Sequence, residues 1–383
     1  MPAVSKKKRK IRAQFRKKHE TRKRRRDLTR QYASEEGEQS DQLERSERVS
    51  GKGSLTRKRT VVGSETAPDD GGLSVDLDVD PDVCRRGRVL SVHGPSNIVR
   101  AGDGTIYRCA TRGLLKSLST DQRNVVAVGD LVWFRPSNEM AERKEGLIER
   151  VEPRRGMLSR TSRGRRHVIV TNVDQLLIIS SAAEPMLKPH LIDRMLVTAE
   201  KAGIGPIICI NKVDLVDPVD LQPLIGVYGQ MGYQVLLVSA TTGFGVDRLR
   251  RVLRDKESVL SGQSGVGKSS LLNAIDPQLR LPVRTVSAES QKGRHTTSIA
   301  QLIPLEYGGY VVDTPGIRQF QLWDVVPAEV AGFFRDLRPY ESHCRFPDCT
   351  HIHEEGCAVK DATADGKIDV RRYESYCHMA QGD

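Results

Sequence analysis

No stretch of this 383-residue chain approaches the roughly 18 consecutive apolar residues of a membrane-spanning helix, so no membrane partner is expected. The first residues lack the apolar core of a secretory leader, and none is expected. Cysteine is sparse: Cys84, Cys109, Cys209, Cys344, Cys349, Cys357 and Cys377. Three of the seven fall within 14 residues, beside histidines, which argues against a disulfide framework and for metal binding in a reducing, cytoplasmic compartment. Most of the chain also lacks a charge surplus. Net charge is +12, yet residues 1–30 alone carry 15 Lys and Arg against Glu20 and Asp27, leaving the other 353 residues at −1. A polyanionic partner is therefore expected for the tail rather than for the whole surface.

What is present falls into four regions. Residues 1–80 pass from Lys/Arg blocks through a Ser/Glu/Gln-rich stretch to the acidic DLDVDPDV. Too little apolar surface is available there to offset chain entropy, and disorder is expected, with RNA contact through the basic block. Residues 85–155 hold short β-branched segments punctuated by Gly, Pro, Asn and Asp, which predict a five-stranded OB-type barrel. Tyr107, Trp133 and Phe134 are its only aromatics suited to stacking on bases, and they suit a core equally well. Residues 160–324 alternate apolar strands with helical spacing, and polar motifs stand at strand ends, as in a doubly wound α/β sheet. Residues 325–383 predict a small, mostly helical region around the cysteines.

Gly262-Gln-Ser-Gly-Val-Gly267-Lys268-Ser269 is a phosphate loop between a strand and a helix. Its residues Gly262, Gln263, Ser264, Gly265, Val266, Gly267, Lys268, Ser269 and Ser270 would wrap phosphate oxygens, with Lys268 at the β- and γ-phosphates and Ser269 on Mg²⁺. Asn211-Lys212-Val-Asp214 closes another strand. The Asp214 carboxylate can accept from both donors of a guanine edge, which adenine lacks. Asn211 would brace the site, Lys212 would pack on the base, and Ser239 and Ala240 of VSATTG would form the second wall. VVDTPG places Asp313 where it can reach Mg²⁺ through water and the Gly316 N–H where it can meet a γ-phosphate. Between these motifs, SQKGRHTTSIA predicts a switch segment in which Thr297, or else Thr296, adds a Mg²⁺ ligand. Ile317 stands where a water-orienting Gln is common. His295 is the nearest chemical substitute, with Gln319 a weaker rival.

These motifs occur in the order NKVD, SA, phosphate loop, switch threonine, DTPG. Cyclic rotation restores the ordinary order, so a circularly permuted GTPase is expected. The second switch then runs directly into the C-terminal region, giving nucleotide state a short covalent path to it. There, Cys344, Cys349, His351 and Cys357 match a closed, structural Zn²⁺ site, with His353 as an alternative to His351. His343 and Cys377 lie near but are redundant.

The sequence resembles the ribosome small subunit-dependent GTPase A family, RsgA or YjeQ, over roughly residues 85–380. The resemblance rests on NVDQLLI, LIDRMLV, NKVDL, SGVGKSSLLN, GRHTTS, DTPGI and the CxxxxCxHxxxxxC spacing. It implies GTP hydrolysis stimulated by the small ribosomal subunit, contact with its rRNA, a role in late maturation of that subunit, and a catalytic His295. Zinc on Cys344, Cys349, His351 and Cys357 carries over with it. A monomer cycling between GTP and GDP is expected. The rivals are a GTP-binding RNA chaperone with little turnover, a permuted GTPase serving the large subunit, and a P-loop ATPase. The long N-terminal extension, Ser298 in GRHTTS and Gln263 in the phosphate loop are departures from the family pattern.

Overall fold

The computed structural model describes residues 9–14, 58–65, 75–113, 115, 125–137, 144–162, 165–283, 300–313 and 325–382. Within the N-terminal 80 residues, β1 (Arg9–Gln14), β2 (Lys58–Glu65) and β3 (Val75–Leu77) form an antiparallel sheet in the order β1-β2-β3. For these three segments the expectation of disorder is corrected. The run Thr60-Val61-Val62 has the β-branched preference of a strand, and ladder pairing outweighs the high local charge.

Strands β4 (Arg85–His93), β5 (Ser96–Ala101), β6 (Ile106–Thr111), β7 (Leu131–Pro136) and β8 (Glu145–Val151) pair in the order β4-β5-β6-β8-β7, and β4 pairs again with β7 to close the barrel. Only β6 and β8 run parallel; every other pair in the barrel is antiparallel. This is OB-type closure, in which no strand edge is left open. Alternate residues fill the interior: Val89, Val99, Tyr107, Cys109, Val132, Phe134 and Ile148 are buried together. Tyr107 and Phe134 lie with ring centroids 4.9 Å apart in that core, which withdraws both from base stacking. Trp133 points outward, its indole N–H donating to Glu152 Oε1 at 2.8 Å.

A hairpin, β9 (Leu158–Ser162) and β10 (Arg165–Val170), leads into the second domain. There β11 (Gln175–Ser181), β12 (Gly205–Asn211), β13 (Gln234–Leu237), β14 (Glu257–Ser261) and β16 (Tyr310–Asp313) run parallel in the order β13-β12-β11-β14-β16, and β15 (Gln301–Pro304) adds an antiparallel edge. Leu176, Ile178, Ile208 and Ile210 pack into one hydrophobic layer and Leu177, Ile179, Ile207 and Cys209 into the other. Burial on both faces is why these strands read as continuous apolar runs. Helices α1 (Pro189–Ala202), α2 (Gln222–Gln230), α3 (Val246–Leu253) and α4 (Lys268–Ile275) flank the sheet. Helix α1 ends at Gly203, whose φ of 63° supplies the left-handed cap. Strand β15 was not expected from the sequence. Its Gln301 pairs with Ser91 of the barrel, so one eleven-stranded sheet runs through both domains.

The C-terminal region departs from expectation at its start. AEVAGFFRDLRPY forms two 3₁₀ turns, Pro327–Glu329 and Ala331–Phe333, and one short helix, α5 (Arg338–Glu341), where Pro327, Gly332 and Pro339 disfavour a continuous helix. Helices α6 (Ala358–Ala364) and α7 (Val370–Gln381) follow. Val330, Phe334, Leu337, Val359, Tyr376 and Met379 form its core, together with Val197 from α1. Among the described residues, no helix is long and apolar enough to cross a membrane.

Candidate nucleotide and metal sites

The phosphate loop joins the end of β14 to the start of α4. Gly265 and Gly267 hold φ values of 85° and 89°, open to glycine and strained for other residues. The Lys268 ammonium lies across the loop, donating to the Gly262 and Gln263 carbonyls at 2.6 and 2.8 Å. Charged phosphate oxygens would compete with these neutral carbonyls for the ammonium.

The order of motifs along the chain raises the question of whether the NKVD segment reaches this loop. It does. The Asn211 side-chain amide donates to the Val266 carbonyl at 2.8 Å, spanning 55 residues of sequence. The Asn211 Oδ1 accepts from the Ala240 N–H at 3.2 Å. One buried side chain thus ties together NKVD, SATTG and the phosphate loop. Strand order explains the meeting: β14 lies beside β11, and β11 beside β12, all parallel, so their carboxyl ends share one rim. Asp214 is exposed at that rim, and Ser239 is buried, accepting from the Thr242 N–H at 3.1 Å. Lys212 donates to the Glu184 carbonyl. Gln263, Ser264, Ser269 and Ser270 stand on the loop and the first turn of α4. Asp313 is the last residue of β16, which neighbours β14 on the other side. His295, Thr296, Thr297, Gly316 and Gln319 lie outside the described residues.

In the C-terminal region the ligand atoms of Cys344, Cys349, His351 and Cys357 all lie within 4.8 Å of one another, a group that could hold one metal ion. His351 Nδ1 is 3.4 Å from Cys344 Sγ and 3.5 Å from Cys357 Sγ, and the two sulfurs are 3.9 Å apart. A tetrahedral zinc about 2.3 Å from sulfur and about 2.0 Å from nitrogen requires S···S edges of roughly 3.8 Å and S···N edges of roughly 3.5 Å. The three edges among Cys344, His351 and Cys357 fit. His353 is exposed and outside the group, which separates the two histidines. The Glu354 carboxylate gathers the intervening turn, accepting from the N–H groups of Thr350, Ile352 and His353 and from the Thr350 hydroxyl. Burial, reinforced by the neighbouring sulfurs, pushes the Cys349 thiol up to about 12. A bound dication reverses that preference and holds thiolates.

The RsgA GTPase family model matches residues 151–323. A small ribosomal subunit biogenesis GTPase RsgA from Chlorobaculum parvum is 40% identical over 297 residues, 76% of this chain and 95% of the relative. Its counterpart from Sodalis glossinidius is 39% identical over 298 residues, 76% of this chain and 84% of the relative. This chain belongs to the RsgA GTPase family. Two solved members share its architecture: YjeQ from Thermotoga maritima, at 35% identity and TM-score 0.64 over 78% of this chain and 98% of that one, and YloQ, a circularly permuted GTPase, at 30% identity and TM-score 0.61 over 79% and 97%.

Sequence reasoning missed the residues that bind this RsgA-family chain into one body. Asp193 of α1 is 1% exposed and meets Arg372 of α7 at 2.6 Å; Arg372 also grips Asp336 at 2.9 and 3.0 Å. Tyr228 of α2 donates to Asp193 at 2.8 Å. Between the barrel and the GTPase domain, Arg154 donates to both oxygens of Asp130, which also accepts from the Thr171 hydroxyl at 2.7 Å. Single charged residues within apolar segments carry no local signature of such pairing.

Proposed function

We propose that this chain hydrolyses GTP while docked on the small ribosomal subunit, late in that subunit's maturation, and that hydrolysis releases it. The carrying observation is the Asn211 bridge, which gives the phosphate loop and the Asp214 base reader a single mouth. The proposed division of labour is a barrel at 85–155 and a tail at 1–80 that contact rRNA, a GTPase domain at 160–324, and a zinc domain at 325–383. Lys268 and the loop amides hold the phosphates; Ser269, Thr297 and Asp313 hold Mg²⁺; the Gly316 N–H meets the γ-phosphate; His295 orients water. Zinc on Cys344, Cys349, His351 and Cys357 is structural, since four protein ligands leave no open position. The compartment is the cytoplasm, where the subunit matures.

The test measures hydrolysis of GTP and ATP with and without purified small subunits. Hydrolysis of GTP alone, raised by small subunits, is expected. Absence of stimulation would remove the docking proposal, and equal turnover of ATP would remove the guanine assignment. His295→Ala should lower the stimulated kcat by about 10²-fold or more with little change in KM. Asp214→Ala removes two hydrogen bonds to a charged acceptor and should weaken GDP binding by about 100-fold, read by titration.

A further inference from the structure

We propose that Arg372, on the last helix of the zinc domain, is a positioning residue for the guanine-nucleotide pocket, acting through Asp193 and α1. This rests on the nucleotide-site reading above and adds a route that avoids the second switch.

Charged side chains tie the zinc domain to both ends of α1. Near the C-terminal end of the helix, Glu200 accepts from Arg335 at 2.7 Å and lies 3.5 Å from Arg338, and beside this tie Lys201 meets Glu329 at 2.8 Å. Near its N-terminal end, Asp193 meets Arg372. The second tie is the more constrained. Arg372 is 2% exposed, its guanidinium fork is filled by Asp336 and Asp193, and its plane lies 4.3 Å from the Phe334 centroid. A buried, fully partnered guanidinium fixes both angle and distance, which a surface pair does not.

Helix α1 starts one residue after the segment 184–188, and that segment touches both halves of the pocket. The Glu184 carbonyl accepts from Lys212, the lysine beside the base reader, and from the Ser181 hydroxyl at 3.0 Å. Pro185, Leu187 and Lys188, with Leu191 and Met195 of α1, line a narrow cleft, open to solvent on one side, together with Gly262, Gln263 and Val266. A shift of α1 therefore changes the contacts that the segment 184–188 makes with Lys212 and the phosphate loop. The path from zinc domain to nucleotide is Arg372, Asp193, α1, segment 184–188, then Lys212 and the phosphate loop. The Glu200 tie sits at the other end of α1, where its partners among the described residues are Arg335, Arg338 and Tyr233, and Arg335 also donates to the Met231 carbonyl at 3.2 Å.

The test uses the full zinc-loaded chain and a fluorescent GDP, following its dissociation rate, with zinc stoichiometry checking that each variant is folded. Arg372→Lys keeps the charge but cannot fill two carboxylates; Asp193→Asn removes the other partner. Each should speed GDP release by about 5-fold or more, and the double variant should release no faster than the worse single. KM for GTP should rise while kcat holds. Arg335→Gln loosens the same interface at its far end and should stay within about twofold of the parent. Zinc-loaded Arg372→Lys and Asp193→Asn chains that release GDP at the parent rate would overturn the proposal, as would an Arg335→Gln chain that matches them. A parent that binds no GDP would instead remove the nucleotide-site reading itself.

Discussion

At the scale of single residues, the nucleotide pocket depends on backbone freedom as much as on charge. A Cβ on Gly267 would stand 2.5 Å from Asn211 Nδ2, the atom that joins the two halves of the site, and φ there is 89°. Gly267→Ala should therefore lower guanine-nucleotide affinity by at least about 10-fold, measured by equilibrium titration, since left-handed backbone alone costs about 1–2 kcal/mol. The glycine pattern, NKVD and SA were all legible in the sequence, because each motif's chemistry lies within a few consecutive residues. The Lys212–Glu184 contact was not legible, because a backbone carbonyl has no signature in the residue that carries it.

At the scale of elements, α7 and the metal turn add local polar bonds to the small core of the C-terminal region. Asp369 caps α7, accepting from the Arg371 N–H at 3.0 Å and from its guanidinium at 3.0 and 3.1 Å. The guanidinium, helped by backbone donors, holds the Asp369 carboxyl below its ordinary 3.8. The folded form therefore favours the carboxylate. Its stabilisation is fully present above the ordinary Asp range and is lost as pH falls below about 4. Asp369→Asn keeps a cap and removes the charge, so its stability should fall less between pH 5 and pH 3 than that of the parent, read by thermal melting; Asp369→Ala should cost about 1 kcal/mol at neutral pH. Metal removal should act more strongly. Cys344, Cys349 and Cys357 pack against the same buried cluster as Phe334 and Tyr376, so chelation or Cys357→Ser should open the region after about residue 325 to protease. Elemental analysis of the parent should find one zinc per chain. The metal ligands were legible from spacing, whereas the 3₁₀ turns at 327–333 and strand β15 were not, since their patterns are too short to establish a period.

At the scale of the whole molecule, three domains are held by buried charge at their seams. Arg88 of the barrel pairs with Glu257 at the start of β14, and Arg100 donates to the Tyr310 hydroxyl at 3.2 Å. Asp130 and Arg154, with side chains 0% and 6% exposed, bond at 2.7 Å against Thr171. Asp130→Ala would leave Arg154 buried beside a vacated partner and should destabilise the chain by about 3–5 kcal/mol, read by denaturant unfolding. The barrel is expected to move with the GTPase domain as one body, so that a load on one is felt by the other.

The sequence by itself determined which chemistry this protein carries. The phosphate loop, NKVD and the Cys/His group are short motifs whose residue types and spacing point to a chemistry, and the rotated order of the first two was visible without coordinates. Only the tertiary structure decided whether that rotated order makes one pocket and how the domains lean on one another. Those outcomes depend on parallel strand order and on charge pairs such as Asp193–Arg372 and Asp130–Arg154. Their members are far apart in the chain and become neighbours only when the sheet assembles.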